Sequence, residues 1–142
     1  MQIGPIDLGD RPIVLAPMED VSDPPFRILC KRYGADLLFT EFISSAGLVY
    51  EADDSVRKLD FHESERPLGI QIFGGDVEQV RQAARLVDEA RPDLIDINFG
   101  CPVKKVVCKG GGAGILKDLP KMKEITDAVV SIATRPVTVK TR

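Results

Sequence analysis

"LIDINFGCPVKKV", residues 94–106, runs from an apolar stretch straight into an asparagine, a cysteine and two lysines. Its first seven residues read as a strand. The residues able to do chemistry, Asn98 and Cys101, come at the C-terminal end of that strand. The same order of events recurs along the chain. "PIVLAPM" (12–18) is a continuous apolar run, as a strand buried on both faces would be, and ends on Met18. "DLLFTEF" (36–42) ends near Glu41, "LGIQIFG" (68–74) carries Gln71, and "VTVKTR" (137–142) carries Lys140.

Helical patterns separate these runs. "SDPPFRILCKRYG" (22–34) has Asp23 as a cap, Pro24 in the first turn and Gly34 as a stop. Phe26, Leu29, Cys30 and Tyr33 recur at i, i+3, i+4 and i+7, which predicts one buried face. A weaker helical signal covers 43–59. Asp76 and Gln79 resemble a capping box for a helix over 77–91, with Val77, Val80, Ala84 and Val87 inward. Asp118 and Pro120 open another helix, with Met122, Ile125, Val129 and Ile132 on its apolar face.

Strand and helix alternating with short joints argue for βαβ units and a parallel sheet. A doubly wound sheet gathers its site at one switch point. A (β/α)8 barrel of the TIM type builds its site around the whole C-terminal rim. Five successive strands each delivering a reactive residue favour the barrel. Such barrels take about 250 residues, so five strands in 142 residues predict an incomplete one, with two unpaired sheet edges that invite self-association.

Composition narrows the function classes. Hydrophobic residues at 44% and charged residues at 29% describe a globular chain. No apolar run approaches the ~18 residues that span a membrane, and "MQIGPIDLGD" lacks the pattern of a signal peptide. Cys30, Cys101 and Cys108 show neither CxxC nor metal-ligand spacing, which points away from disulfides and zinc and toward the reducing cytoplasm. Net charge is −3, but it is unevenly spread. Residues 101–142 hold nine Lys/Arg against three Asp/Glu, so +6, and residues 1–100 hold ten against nineteen, so −9. That split suggests a local anionic partner, or else a chance cluster on a solvated face.

For the segment after residue 98, several chemistries fail on residues alone. "KGGGAG" (109–114) lacks the GxxxxGK[ST] of a phosphate loop. A metal site lacks ligands, since the single histidine, His62, lies far along the chain. A nucleophilic hydrolase needs a base beside Cys101. What remains is Cys101 as a proton donor or redox-neutral thiol, a thiol near pKa 8.5 being mostly protonated at neutral pH. The plain alternative is a buried structural cysteine.

"APMEDVSDPPFR" (16–27), "TEFISS" (40–45), "QIFG" (71–74), "DINFGCPVKKV" (96–106) and "VTVKTR" (137–142) together resemble the tRNA-dihydrouridine synthase family. They stand in its order and spacing across essentially the whole chain, and are most similar to the bacterial B-type branch. The resemblance implies an FMN-dependent barrel that reduces uridine in tRNA to 5,6-dihydrouridine, with NADPH as electron source. It implies that flavin supplies a hydride to one carbon of the uracil C5=C6 bond and Cys101 a proton to the other. Asn98 would help hold the uracil, and Pro17, Met18 and Glu19 would line the flavin ring. Gln71 would meet the flavin's pyrimidine edge, and Lys140 would stabilise the reduced, anionic flavin.

Lys104, Lys105 and Lys109 would meet RNA phosphates as the uridine leaves its stack. The glycines at 110–112 and 114 would let that loop move as RNA docks. Three adjacent glycines depart from the bulkier residues usual in the family. The resemblance further implies that residues 1–142 are the N-terminal part of the catalytic barrel, the remaining strands and a C-terminal helical domain lying outside them. The 142 residues alone are then expected not to turn over tRNA. Two other readings stay open: an FMN barrel acting on a free pyrimidine, and a non-catalytic half-barrel that binds flavin or RNA.

Overall fold

A computed structural model describes residues 1–142. The first ten residues form a hairpin of β1 (Gln2–Ile3) and β2 (Ile6–Asp7), paired antiparallel. The apolar run 12–18 does not become a regular strand. A single parallel bridge, Val14 to Leu37, ties it to the sheet, supported by Leu15 N to Leu37 O at 2.9 Å. Pro12 and Pro17 donate no N–H and so cannot extend a ladder. Ile13 is 62% exposed, so this segment is an edge and not a strand buried on both faces.

Helix α1 (Pro24–Arg32) begins as its sequence predicts, with Asp23 accepting from Phe26 N at 3.0 Å. Its buried face is the predicted one only in part: Cys30 packs half-buried on the main core and Phe26 is half-buried. Leu29 and Tyr33 are exposed, and Arg27 is the residue fully buried. The reason is an ion pair between Arg27 Nε and Glu65 Oε2 at 2.5 Å, which turns a charged side chain inward and leaves two apolar ones in water. Glu65 closes a short 3₁₀ turn, Glu63–Glu65, that His62 caps.

The predicted strand over 36–42 is two pieces, β3 (Leu38–Phe39) and β4 (Ile43–Ser44), both pairing in parallel with β5 (Leu68–Phe73). Between them the Thr40 hydroxyl accepts from Gln71 N at 3.3 Å, taking the place of a ladder carbonyl. The helical signal over 43–59 likewise splits, into α2 (Ser45–Val49) and α3 (Asp53–Arg57). Glu51 adopts φ +53° between them, a left-handed conformation that ends a helix.

Helix α4 (Val77–Glu89), strand β6 (Leu94–Asn98), helix α6 (Leu119–Val130) and strand β7 (Val137–Lys140) follow the sequence pattern closely. Only half of the expected capping box forms before α4: Asp76 accepts from Gln79 N at 2.8 Å. Between β6 and α6 the chain makes a short helix α5 (Lys104–Val107) and a 3₁₀ turn, Gly112–Lys117.

Strand order follows chain order, β3/β4–β5–β6–β7, and every pair in this sheet is parallel. The sheet's two faces differ in kind. Leu38, Leu68, Ile70, Ile72, Ile95 and Ile97 pack against Val80, Ala84 and Val87 of α4 and Ile125 and Val129 of α6 in the main core. The opposite face, which we call the open face, carries Leu37, Leu94 and Phe39 against Leu8 of the N-terminal hairpin region. Farther along the strands it becomes polar. The period of two that separates these faces is why β6 reads apolar–polar–apolar–polar over Ile95, Asp96, Ile97 and Asn98.

The glycine-rich loop serves close packing. A Cβ on Gly112 would lie 2.6 Å from Cys101 O, and one on Gly75 would lie 2.5 Å from Lys109 O and 2.7 Å from Gly110 C. Those obstacles are backbone, so they do not swing aside. Gly75→Ala is expected to destabilise the protein by about 1–3 kcal/mol, measured by urea unfolding. A loss within error of zero would show that the loop yields freely.

Candidate active site

Three buried polar side chains, Gln71, Asp96 and Asn98, meet half-buried Thr138 on the open face of β5, β6 and β7. The parallel register aligns Gln71 with Asp96 and Asp96 with Thr138. Thr138 Oγ1 donates to Asp96 Oδ1 at 2.5 Å. Gln71 Nε2 donates to Asp96 Oδ2, also at 2.5 Å. Asn98 Nδ2 donates to Gln71 Oε1 at 2.8 Å. Asn98 Oδ1 then accepts from Gly100 N at 3.0 Å and Cys101 N at 2.8 Å. Buried amides need partners, since an orphan costs about 1–3 kcal/mol, and here each finds one in its neighbour.

Cys101 is 8% exposed and held on both sides of its peptide unit. Its N–H goes to Asn98, and its carbonyl accepts from Ala113 N at 2.9 Å. Cys108 is exposed and Cys30 half-buried on the main core, so the three cysteines have three different surroundings.

Asp96 borders a cavity of about 410 Å³ together with Ala16, Pro17, Phe39, Thr138 and Lys140. Burial pushes its carboxyl above the ordinary carboxylate range, held back by the hydrogen bonds from Gln71 and Thr138 and by the charge of Lys140. The linkage has a definite sign. An aspartate in the unfolded chain titrates near 3.9, and this one titrates higher when folded. Above both values the fold bears the cost of a buried charge, which is relieved as pH falls through that interval. Asp96→Asn is therefore expected to flatten a decline in stability with rising pH that begins at about 3.9. Thermal unfolding of both proteins across that range checks this, and parallel pH profiles would refute it.

The structure brings Pro17, Asp96, Thr138 and Lys140 to one cavity, with Gln71, Asn98 and Cys101 behind and beside it. Gln71 is fully buried, and each end of its amide already holds one partner. Met18 lies in a turn closed by Ser22, whose Oγ accepts from Met18 N and donates to Met18 O, both at 2.9 Å. Glu19 faces elsewhere: it pairs with Lys58 at 2.6 Å. Glu41, another strand-end residue, accepts from Asp20 N at 2.8 Å and so fastens the turn of residues 18–22 to the sheet.

Lys105 and Lys109 line a separate groove of about 490 Å³ with Phe42 and Phe73. The two rings meet edge to face, centroids 5.4 Å apart. Lys104 is exposed on α5 but does not line that groove. Asp96 and Thr138 escaped the sequence reading. A signal existed, since an aspartate at the centre of "LIDIN" is a charge in an apolar strand.

No helix is long and apolar enough to cross a membrane. The family model for dihydrouridine synthase (Dus) matches residues 14–142. The chain is similar to the tRNA-dihydrouridine synthase B of Shewanella oneidensis, 42% identical over 142 residues, which is all of this chain and 44% of that protein. It is 40% identical to the tRNA-dihydrouridine synthase B of Pseudomonas aeruginosa over all of this chain and 42% of that protein. A probable tRNA-dihydrouridine synthase of Rickettsia prowazekii is 36% identical over 143 residues, 43% of its length. The chain thus spans less than half the length of the curated relatives it matches.

Proposed function

The chain belongs to the dihydrouridine synthase family, and from that premise we propose that it forms part of a flavin-dependent enzyme reducing uridines in tRNA to 5,6-dihydrouridine. Its parallel sheet, ordered as in the chain with helices α4 and α6 packed on one face, is in this reading part of a (β/α)8 wall whose open face is the barrel interior. The observation that carries the reading is the polar run from Thr138 to the Cys101 N–H, set beside the cavity of Pro17 and Lys140.

That cavity suits FMN. Ala16, Pro17 and Phe39 offer apolar contact to a flat ring, while Asp96, Thr138 and Lys140 offer polar groups along one side. Bound there, FMN would supply the hydride, drawn in turn from NADPH. Pro17 and the Met18 turn would bound the ring, and Lys140 would place positive charge at the cavity's lip.

Cys101 would hold the proton at Sγ and deliver it to the uracil carbon that does not take the hydride. The pinned peptide unit fixes where that sulfur stands. Asn98, which was expected to grip uracil, spends both its oxygen and one N–H inside the protein, so in this reading it serves Cys101 first. Lys105 and Lys109, beside Phe42 and Phe73, would meet the backbone and bases next to the target uridine.

The test uses the full-length protein with FMN and NADPH, offered either a tRNA or free uridine, with dihydrouridine read by mass spectrometry. Dihydrouridine in the tRNA, at rates far above those with uridine, is expected. Reduction of free uridine with inert tRNA would support the free-pyrimidine reading instead, and reduction of neither would leave a binding protein.

A further inference from the structure

The direction of every bond in the polar run follows from chemistry. An ionised carboxylate only accepts hydrogen bonds, so the contact between Asp96 and Gln71 is donated by Gln71 Nε2. That turns Gln71 Oε1 toward Asn98, which donates from Nδ2. Asn98 Oδ1 is left as the acceptor for Gly100 N and Cys101 N. The other end agrees, because a backbone N–H only donates. No amide in the run can flip without setting donor against donor in a buried place.

We propose that Asp96 is a positioning residue for Cys101. From three hydrogen bonds away, its carboxylate holds Gln71 and Asn98 in the one arrangement that pins the turn at Gly100 and Cys101, and so sets where the thiol stands relative to the cavity. Thr138 steadies the carboxylate from β7. The benefit to proton delivery rests on the functional reading above; the positioning itself does not.

The readout is the rate at which iodoacetamide alkylates each cysteine of the native full-length protein, resolved by peptide mass spectrometry. Trypsin separates the three cysteines of this chain, because lysine or arginine lies between each pair. Half-buried Cys30 therefore reports on the fold, exposed Cys108 on the reagent and Cys101 on the turn. Asp96→Ala is expected to raise the Cys101 rate about fivefold or more, the factor that follows from losing about one buried hydrogen bond, with Cys30 and Cys108 unchanged.

Asp96→Asn is expected to return Cys101 to near the wild-type rate. Its Oδ1 can still accept from Gln71, and its Nδ2 can donate to Thr138. An unchanged Cys101 in Asp96→Ala overturns the proposal. If Asp96→Ala instead raises Cys30 along with Cys101, Thr138→Val decides: a smaller rise confined to Cys101 supports the proposal, and no rise overturns it. Dihydrouridine formation is measured on the same proteins. A wild type that makes none sinks the functional reading and leaves the thiol result standing. An active wild type whose Cys101 ignores Asp96 sinks this inference alone.

Discussion

Cys101→Ala in the full-length protein is expected to lower dihydrouridine formation in tRNA by about 10²–10⁴-fold, the range that a positioned general acid contributes. In the proposed reaction the thiol is the proton donor at the end of the polar run, and the backbone of Cys101 is held by Asn98 and Ala113. Removing one sulfur from this buried position leaves both of those backbone bonds in place, so the fold is expected to survive. Two measurements separate loss of the proton from loss of the site. Reduction of bound flavin by NADPH involves no uracil and should proceed as in wild type, whereas product formation should collapse. Product formed within a few-fold of the wild-type rate would remove Cys101 from the chemistry and return it to the role of a packed structural thiol.

The largest expected effect on stability lies elsewhere, at the Arg27–Glu65 pair. Both side chains are almost wholly out of water, at 2% and 0% exposure, with Nε and Oε2 2.5 Å apart. Arg27 also donates to Ser22 O at 2.8 Å and Asp60 O at 3.1 Å, and Glu65 Oε1 accepts from His62 N at 2.7 Å. One guanidinium therefore joins α1, the turn of residues 18–22 and the segment before β5.

Arg27→Met leaves a carboxylate buried without its counter-charge, at a cost of about 3–5 kcal/mol. The double variant Arg27→Met/Glu65→Leu removes both charges and is expected to regain much of that loss, because desolvation of each ion offsets most of what their attraction contributes. Urea unfolding of the single and double variants measures the difference. A single variant within about 1 kcal/mol of wild type, the value typical of an exposed pair, would show that water reaches the pair. Because Ser22 in turn holds both backbone groups of Met18, the same variant should also weaken flavin binding in the full-length protein.

How much was legible in the sequence follows the range of the forces involved. Strands β5, β6 and β7 and helices α4 and α6 were readable because their cause is local: an apolar period of two or 3.6, and a cap within three residues. The run 12–18 was misread because its composition suits a strand, while its prolines deny it a ladder. The face of α1 was misread in part, for a different reason. The pattern of Leu29 and Tyr33 is local, but the partner that draws Arg27 inward is 38 residues away in sequence. The break between β3 and β4 likewise depends on Thr40 meeting Gln71, 31 residues on.

At the site the division is the same. By itself the sequence determined that Cys101, Asn98, Gln71 and Lys140 stand at or near the ends of successive strands, since residue type and position along a strand are local properties. Only the tertiary structure decided that Asp96 and Thr138 join them, that Gln71 is spent on Asp96 and Asn98, and that Glu19 turns away to Lys58. Those choices depend on the register of three strands lying side by side, which places side chains from residues 71, 96 and 138 in one row. A hydrogen bond acts over about 3 Å, and only the folded sheet brings groups so distant in the chain within that reach.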